Sequence, residues 1–569
     1  MVRRIIGSLA APLLLAGCAA LPASPPSTAT SLATGMVSAA DPRAAAAGAQ
    51  ILRKGGSATD AAIAVMLALT VVEPQSSGIG GGGFLVWADT KGEVETIDGR
   101  ETAPAAATPD WFLDAAGKPL AFPRAVHSGL SVGVPGSLRL AATAHRNHGR
   151  LAWAQLFAPA IALARDGFAI SPRMEEFLGN AAERAAADPL GRALFYDAAS
   201  RPLPAGTVVR NPALAATLER IGRGGPEAFY TGAAGAALAQ HVAAATPRLA
   251  GMSAADVSSY RAKPRPPVCG EYRHYRICGM GPPSSGAITV YAILKQLERF
   301  DLGQMGPQSA AAWHVFAESQ RLAYADRDRY LADSDYVRVP VAGLSDPAYL
   351  AARGALISET ARLGSVAAGS PAGVTAQFRS GTGPLEAGTS HFAVTDKFGQ
   401  AVSYTSTIEG PFGSGLMVGG AYLNNELTDF SFVPEQGGVA VANRVEGGKR
   451  PRSSMAPTVV YDPQGRLFLV IGAAGGATIP VQVAKALIGV IDWGLPVDQA
   501  IALPILFAPG DVDTVEPGSS LLALKPQLEA WGHRIVERPL PLKANAIEWI
   551  GGRWLGAADP RSEGAAVGE

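Results

Sequence analysis

Glu386-Ala-Gly-Thr-Ser-His-Phe-Ala-Val-Thr-Asp396 runs through Lys397-Phe-Gly399 into Gln400-Ala-Val-Ser-Tyr-Thr-Ser-Thr-Ile-Glu409. Small or apolar residues alternate with polar ones on both sides of Asp396-Lys-Phe-Gly399, which is the pattern of a β-hairpin. Asp-x-x-Gly suits a three-residue loop, a type I turn followed by glycine in the left-handed region. With 397–399 as the loop, Asp396 pairs with Gln400, and counting back along both strands sets Thr389 opposite Thr407. Two hydroxyls then meet across the ladder, just after an isolated glycine, Gly388. Taken alone this is an ordinary threonine-rich strand pair; the residues around it change that reading.

Composition narrows the classes. Of 569 residues 48% are apolar, enough for a large packed core. Lys+Arg and Asp+Glu are both 48, so no basic surface points to a nucleic-acid partner. Arg3 and Arg4 precede an apolar run, Ile5 to Ala16, too short to span a bilayer and shaped like a secretory signal. Leu15-Ala-Gly-Cys18 resembles a bacterial lipobox. Residues 1–18 are therefore expected to be a lipoprotein-type signal with Cys18 lipidated, and 19–34 a disordered tether. A periplasmic or cell-envelope location follows; a plain signal cut near Ala20 is the alternative. Cys269 and Cys278 fall opposite each other if the chain turns at Arg273-His274. They are a disulfide in an oxidising compartment or two small buried residues otherwise. Without paired histidines they make no metal site, and neither a metal nor a cofactor is expected.

Outward from the hairpin, helices are expected at about 41–54, 59–72, 138–146, 153–166, 173–187, 212–221, 233–245, 287–300, 310–330 and 479–491. Gly78 to Gly83 is a formal G-x-G-x-x-G, but a helix precedes it and a strand follows, the reverse of a dinucleotide site. Gly129-Leu-Ser-Val-Gly133 is a formal nucleophile elbow, yet Pro135 and Gly136 oppose the helix that must follow Ser131. Residues 360–387 lack periodicity and form a loop accessible to processing. Leu467 to Ile471 runs into Gly472-Ala-Ala-Gly-Gly476 and then a helix, an arrangement that offers free amides to an anion.

In order along the chain stand Ser77-Gly-Ile-Gly-Gly-Gly-Gly-Phe84, Arg100-Glu-Thr-Ala-Pro104, Pro282-Pro-Ser-Ser-Gly286, Thr389-Ser-His-Phe392, Asn424-Asn-Glu-Leu-Thr-Asp-Phe430, Arg452-Ser-Ser-Met455 and Gly475-Gly476. Together these blocks resemble the γ-glutamyltranspeptidase (glutathione hydrolase) precursors, from Gly35 to the end of the chain. The resemblance implies an N-terminal-nucleophile hydrolase, α+β, with a four-layer αββα sandwich. It implies self-cleavage between Gly388 and Thr389 into a large subunit, 35–388, and a small subunit, 389–569, that stay together as a heterodimer. Thr389 would be the nucleophile, Thr407 its hydrogen-bonding partner, and the Gly475 and Gly476 amides the oxyanion hole. Arg100, Ser453 and Ser454 would clamp a substrate α-carboxylate, and Glu426 and Asp429 its α-ammonium. His391 would support the nucleophile strand rather than react. Glu409 stands where the family often has asparagine, so three carboxylates would face one ammonium. The stretch from Asp429 to Ser453 is shorter than in members with a lid and lacks their tyrosine, which implies an open site.

The expected activity is transfer of a γ-glutamyl group from glutathione and related donors, through a Thr389 ester, to water, amino acids or peptides. A glutaryl-type cephalosporin acylase is the alternative on the same framework, disfavoured by the acidic residues. An uncleaved, inactive lipoprotein with a binding role is the alternative from another class.

Overall fold

The computed structural model describes residues 30–374, 378–381 and 388–569. Strands Gly388–Thr395 and Gln400–Glu409 pair antiparallel with Thr389 opposite Thr407 and Thr395 opposite Ala401, the expected register. Asp396 Oδ1 accepts from the amides of Phe398 and Gln400, and Gly399 takes φ 81°. The aspartate thus closes the turn and glycine supplies the left-handed residue that ends it. At the far end the register slips, so Gly388 faces Glu409.

This hairpin is the centre of a seven-stranded sheet whose order is Ala565–Gly568, Met36–Ala39, Gly388–Thr395, Gln400–Glu409, Gly82–Asp89, Val94–Asp98 and Lys263–Arg265. A second sheet runs Thr30–Ala33, Arg553–Ala558, Lys543–Ile550, Leu467–Ala474, Thr458–Tyr461, Tyr275–Gly279 and Val268–Tyr272. Strand alternation gives the hairpin two faces. Phe392, Val394, Val402 and Tyr404 pack with helices α1 (Pro42–Arg53) and α2 (Ala58–Val72). Ala393 and Ala401 join the core shared with the second sheet, covered by α3 (Gly286–Leu297), α4 (Ala310–Tyr330) and α5 (Ile479–Ile491). The sheets are also stitched by polar groups: Ser403 Oγ donates to the Ile471 carbonyl at 3.0 Å and accepts from the Thr458 amide at 3.0 Å. The result is the αββα sandwich. Capping sets the helix starts: Asp41 and Pro42 begin α1, and a reciprocal Ser57–Asp60 box begins α2.

Several expectations need correction. Thr30–Ala33, placed in the tether, pairs with Arg553–Ala558 as an edge strand. The expected helix 153–166 is a 3-10 turn, Trp153–Phe157, followed by an α-helix Ala158–Asp166 that restarts at Pro159, whose ring suits a first turn. The expected helix 173–187 ends at Asn180 and restarts as Ala182–Ala185, because Gly179 and Asn180 are weak helix formers. Of the two readings offered for Cys269 and Cys278 the disulfide is the one found: they face each other across Val268–Tyr272 and Tyr275–Gly279 and are bonded. Cys18 and the signal, and the processing loop at 375–377 and 382–387, lie outside the described residues.

Both formal motifs have structural explanations. A Cβ on Gly80 would lie 2.0 Å from the Tyr422 carbonyl oxygen and one on Gly81 1.9 Å from that of Thr407. The glycines let this loop lie directly on the backbone of the central hairpin and of Ala421–Tyr422. Ser131 is fully buried and donates to the carbonyls of Val126 and Ser128, so its hydroxyl belongs to a turn.

Candidate active site

Thr389 stands at the mouth end of the central strand, 6% exposed, in an otherwise buried stretch. Its Oγ lies 3.2 Å from Thr407 Oγ. The Thr407 hydroxyl also approaches the Gly388 carbonyl oxygen, at 2.8 Å, and accepts from the Glu409 amide at 2.7 Å. A hydroxyl carries one proton, so hydrogen-bond accounting fixes its direction. Thr407 donates to the Gly388 carbonyl and accepts from the Thr389 hydroxyl. In the continuous chain one side chain therefore polarises the Gly388 carbonyl and draws on the hydroxyl that would attack it. Glu409 holds φ 75°, uncommon for a residue with a side chain, and this strained corner turns its amide onto Thr407. A Cβ on Gly388 would lie 2.6 Å from the Glu409 carbonyl oxygen, so only glycine fits there.

His391 is not a base. It is fully buried, Nδ1 lies 2.9 Å from Thr405 Oγ, and a Cβ on Gly472 would fall 2.4 Å from its ring. Burial pushes its pKa down to about 3, so the ring is neutral and serves as sheet-to-sheet packing.

A cavity opens beside Thr389, lined by Thr407, Glu409, Glu426, Asp429, Arg100, Ser453, Ser454 and Gly476, with Arg327, Arg452, Met455, Ala477 and Ile479. Of the ten residues expected at the site, nine line it together. Gly475 does not; it takes φ 125°, and a Cβ there would lie 2.0 Å from the Pro541 carbonyl oxygen. That turn carries the chain from Leu467–Ala474 into α5 and leaves Gly476 and Ala477 at the wall. None of residues 430–451 lines the cavity.

The charged end is assembled from distant segments. Arg100, 1% exposed, donates one Nη to Glu426 and the other to Asp429, and also to the carbonyls of Pro451 and Arg452. Opposite charges thus sit side by side on the cavity wall, each stabilising the other. Asn425 Nδ2 donates to Glu409, and Asn424 ties this segment to the carbonyls of Gly80 and Gly133. Burial acts on all three neighbouring acids. Burial pushes Glu101, beside Arg100 in sequence, up to about 8, and raises Glu426 and Asp429 as well. Ser453 and Ser454 both line the cavity; the Ser453 Oγ accepts from the Met455 amide and the residue is 2% exposed, whereas Ser454 is half-buried.

Sequence reasoning gave no role to Glu101, Asn425 or Arg327. Arg327 lies in Ala323-Tyr-Ala-Asp-Arg327 on α4, and the one signal for it was its spacing from Tyr324 on the same helix face. Among the described residues no cluster of His, Cys, Asp or Glu is arranged to hold a metal.

Comparison with known proteins agrees with this geometry. The family model described as gamma-glutamyltranspeptidase matches residues 44–569. The chain is 37% identical to the glutathione hydrolase proenzyme of Bacillus subtilis (strain 168), covering 94% of this chain and 91% of the relative. It is 36% identical to that of Escherichia coli (strain K12), covering 93% and 90%. Among solved structures, a cephalosporin acylase from Bacillus halodurans superposes with a TM-score of 0.83 at 26% identity, covering 98% of this chain and 99% of that one. Similarity of this order over nearly the whole length places the chain in the γ-glutamyltranspeptidase family.

Proposed function

We propose that the protein is a γ-glutamyl hydrolase/transpeptidase that matures by cutting itself between Gly388 and Thr389. The observation that carries this reading is one cavity holding a threonine nucleophile at one end and a paired Arg100–Glu426/Asp429 head-group site at the other. In maturation Thr389 Oγ attacks the Gly388 carbonyl carbon while Thr407 donates to its oxygen. The peptide nitrogen leaves as the new α-amine, and water hydrolyses the Gly388 ester. That amine, with an ordinary pKa near ~8, then takes the proton of its own hydroxyl. In turnover Thr389 Oγ attacks the donor γ-carbonyl, amides of the Gly475–Gly476 turn stabilise the oxyanion, and the donor amine departs with a proton. Water, an amino acid or a peptide accepts the γ-glutamyl group from the ester.

The donor class, glutathione and related γ-glutamyl compounds, is supported by the named activity of the relatives and by the zwitterion-matched charges. A glutaryl-type acylase is the second reading, favoured by likeness to the cephalosporin acylase. A glutaryl group has a carboxylate for Arg100 but no ammonium for Glu426 and Asp429, so it leaves them uncompensated. The lipobox-like Leu15-Ala-Gly-Cys18 supports an envelope location with a lipid anchor on Cys18.

A denaturing gel with N-terminal sequencing tests the maturation step. Wild type is expected to yield a fragment that begins Thr-Ser-His and runs from Thr389 to Glu569, absent in Thr389→Ala. An uncut wild-type chain overturns the mechanism. Anilide substrates then decide the class: faster release from glutaryl than from γ-glutamyl anilide would reverse the ranking.

A further inference from the structure

Helix α4 reaches the cavity from the large-subunit side with two residues one turn apart. The Tyr324 hydroxyl donates to the carbonyl of Ala477 in the oxyanion turn. Arg327 Nη2 donates to Ser454 Oγ at 2.6 Å, while its Nε donates to Ser285 Oγ at 2.9 Å and its Nη1 to Asp328 Oδ1 at 2.7 Å. Ser285 in turn donates through its hydroxyl, at 2.6 Å, and its amide, at 2.8 Å, to the Ser453 carbonyl. Three of the five guanidinium N–H groups are therefore committed to partners, two of them holding the Ser453–Ser454 segment in place.

We infer that Arg327 is a positioning residue that turns Ser454 into a hydrogen-bond donor toward the substrate carboxylate, an assignment that rests on the γ-glutamyl reading above. Arg327 has no acceptor atom, so Ser454 Oγ is the acceptor in their contact. Among the described residues Arg327 is the one hydrogen-bond partner of that oxygen. The serine proton is left to point elsewhere, and Ser454, half-buried on the cavity wall, has the pocket in front of it. The planar fork suits this task because its three nitrogens engage Ser454, Ser285 and Asp328 at once, which a lysine ammonium on a flexible stem does not reproduce. Asp328 is shared with Arg452, at 3.1 Å, and Arg452 donates to the Arg327 carbonyl at 3.2 Å, so the brace is itself held from behind. Self-cleavage separates Arg327 and Ser454 onto different chains, and their contact makes the small subunit's carboxylate site depend on the large subunit.

A double-mutant cycle on the mature enzyme tests this with γ-glutamyl p-nitroanilide. Arg327→Gln is expected to raise KM about tenfold while kcat stays within about twofold, the signature of lost ground-state binding. Arg327→Lys is expected to give an intermediate KM. Ser454→Ala is expected to raise KM similarly, and the double variant to be no worse than Ser454→Ala alone. Fully additive effects, a loss confined to kcat, or an unchanged KM in both Arg327 variants would overturn the assignment. Self-cleavage on a gel reports folding of each variant; where Arg327→Gln does not cleave, Arg327→Lys takes its place in the cycle with the same readings. A wild-type enzyme that releases no anilide would instead sink the γ-glutamyl reading itself.

Discussion

At the nucleophile end of the cavity Thr389, Thr407 and Glu409 come from one hairpin and are joined by neutral hydroxyls and amides. At the other end Arg100 meets Glu426 and Asp429 from 326 and 329 positions away, and the contacts are ionic and buried. The contrast separates two tasks. The first end must act while the chain is still continuous, so its geometry is set by local strand register and needs no ligand. The second end, in the proposed reading, recognises a zwitterion, and it keeps opposite charges together, which lowers the cost of burying each of them. Chemistry and recognition therefore fail separately when residues are changed.

The largest expected effect lies at the first end. Thr407→Val keeps the shape but removes the donor to the Gly388 carbonyl and the acceptor for Glu409. Self-cleavage should slow by about 10³-fold, the cost of one oxyanion-type donor, in a time course of fragment appearance. A cleavage rate within a few-fold of wild type would break the contrast by moving the polarising group elsewhere. Next comes Arg100→Ala, which should raise KM for a γ-glutamyl anilide about 100-fold, as expected for lost charged hydrogen bonds, while self-cleavage persists. Loss of cleavage in that variant would show that the two ends are not separable and that Arg100 serves folding.

The smallest effect concerns the strand's support. His391 binds its proton in the folded chain only near a pKa of about 3, against an ordinary 6.5. Between those values the unfolded chain binds more protons, so His391 favours folding above pH 6.5 and that contribution is lost as pH falls toward 3. From pH 6.5 to 5 this one group should cost the wild type about 2 kcal/mol in denaturant unfolding, and His391→Asn should remove that part of the slope. Identical pH slopes for the two proteins would mean that His391 is not buried neutral in solution.

How much of this was legible depends on chain distance. Thr389 opposite Thr407 follows from a turn signature and two strand periods, both local, and the helix start at Asp41-Pro42 follows from capping chemistry. The glycine run at 78–83 was marked by sequence but not explained by it, because the carbonyls that exclude a Cβ belong to residues 407 and 422. Ser453 and Ser454 are indistinguishable as neighbours; only the fold assigns one hydroxyl to the Met455 amide and leaves the other to Arg327.

By itself, the sequence determined the principal helices, the hairpin register and the family, since these are written in periodicity, turns and ordered motifs. Tertiary structure alone decided which charges neutralise one another, which carboxyls burial pushes upward in pKa, and which helix braces the pocket. The physical reason is that hydrogen bonds and turns act over a few residues of chain, whereas burial and Coulomb interaction act through space, between groups that only the packed sheets bring together.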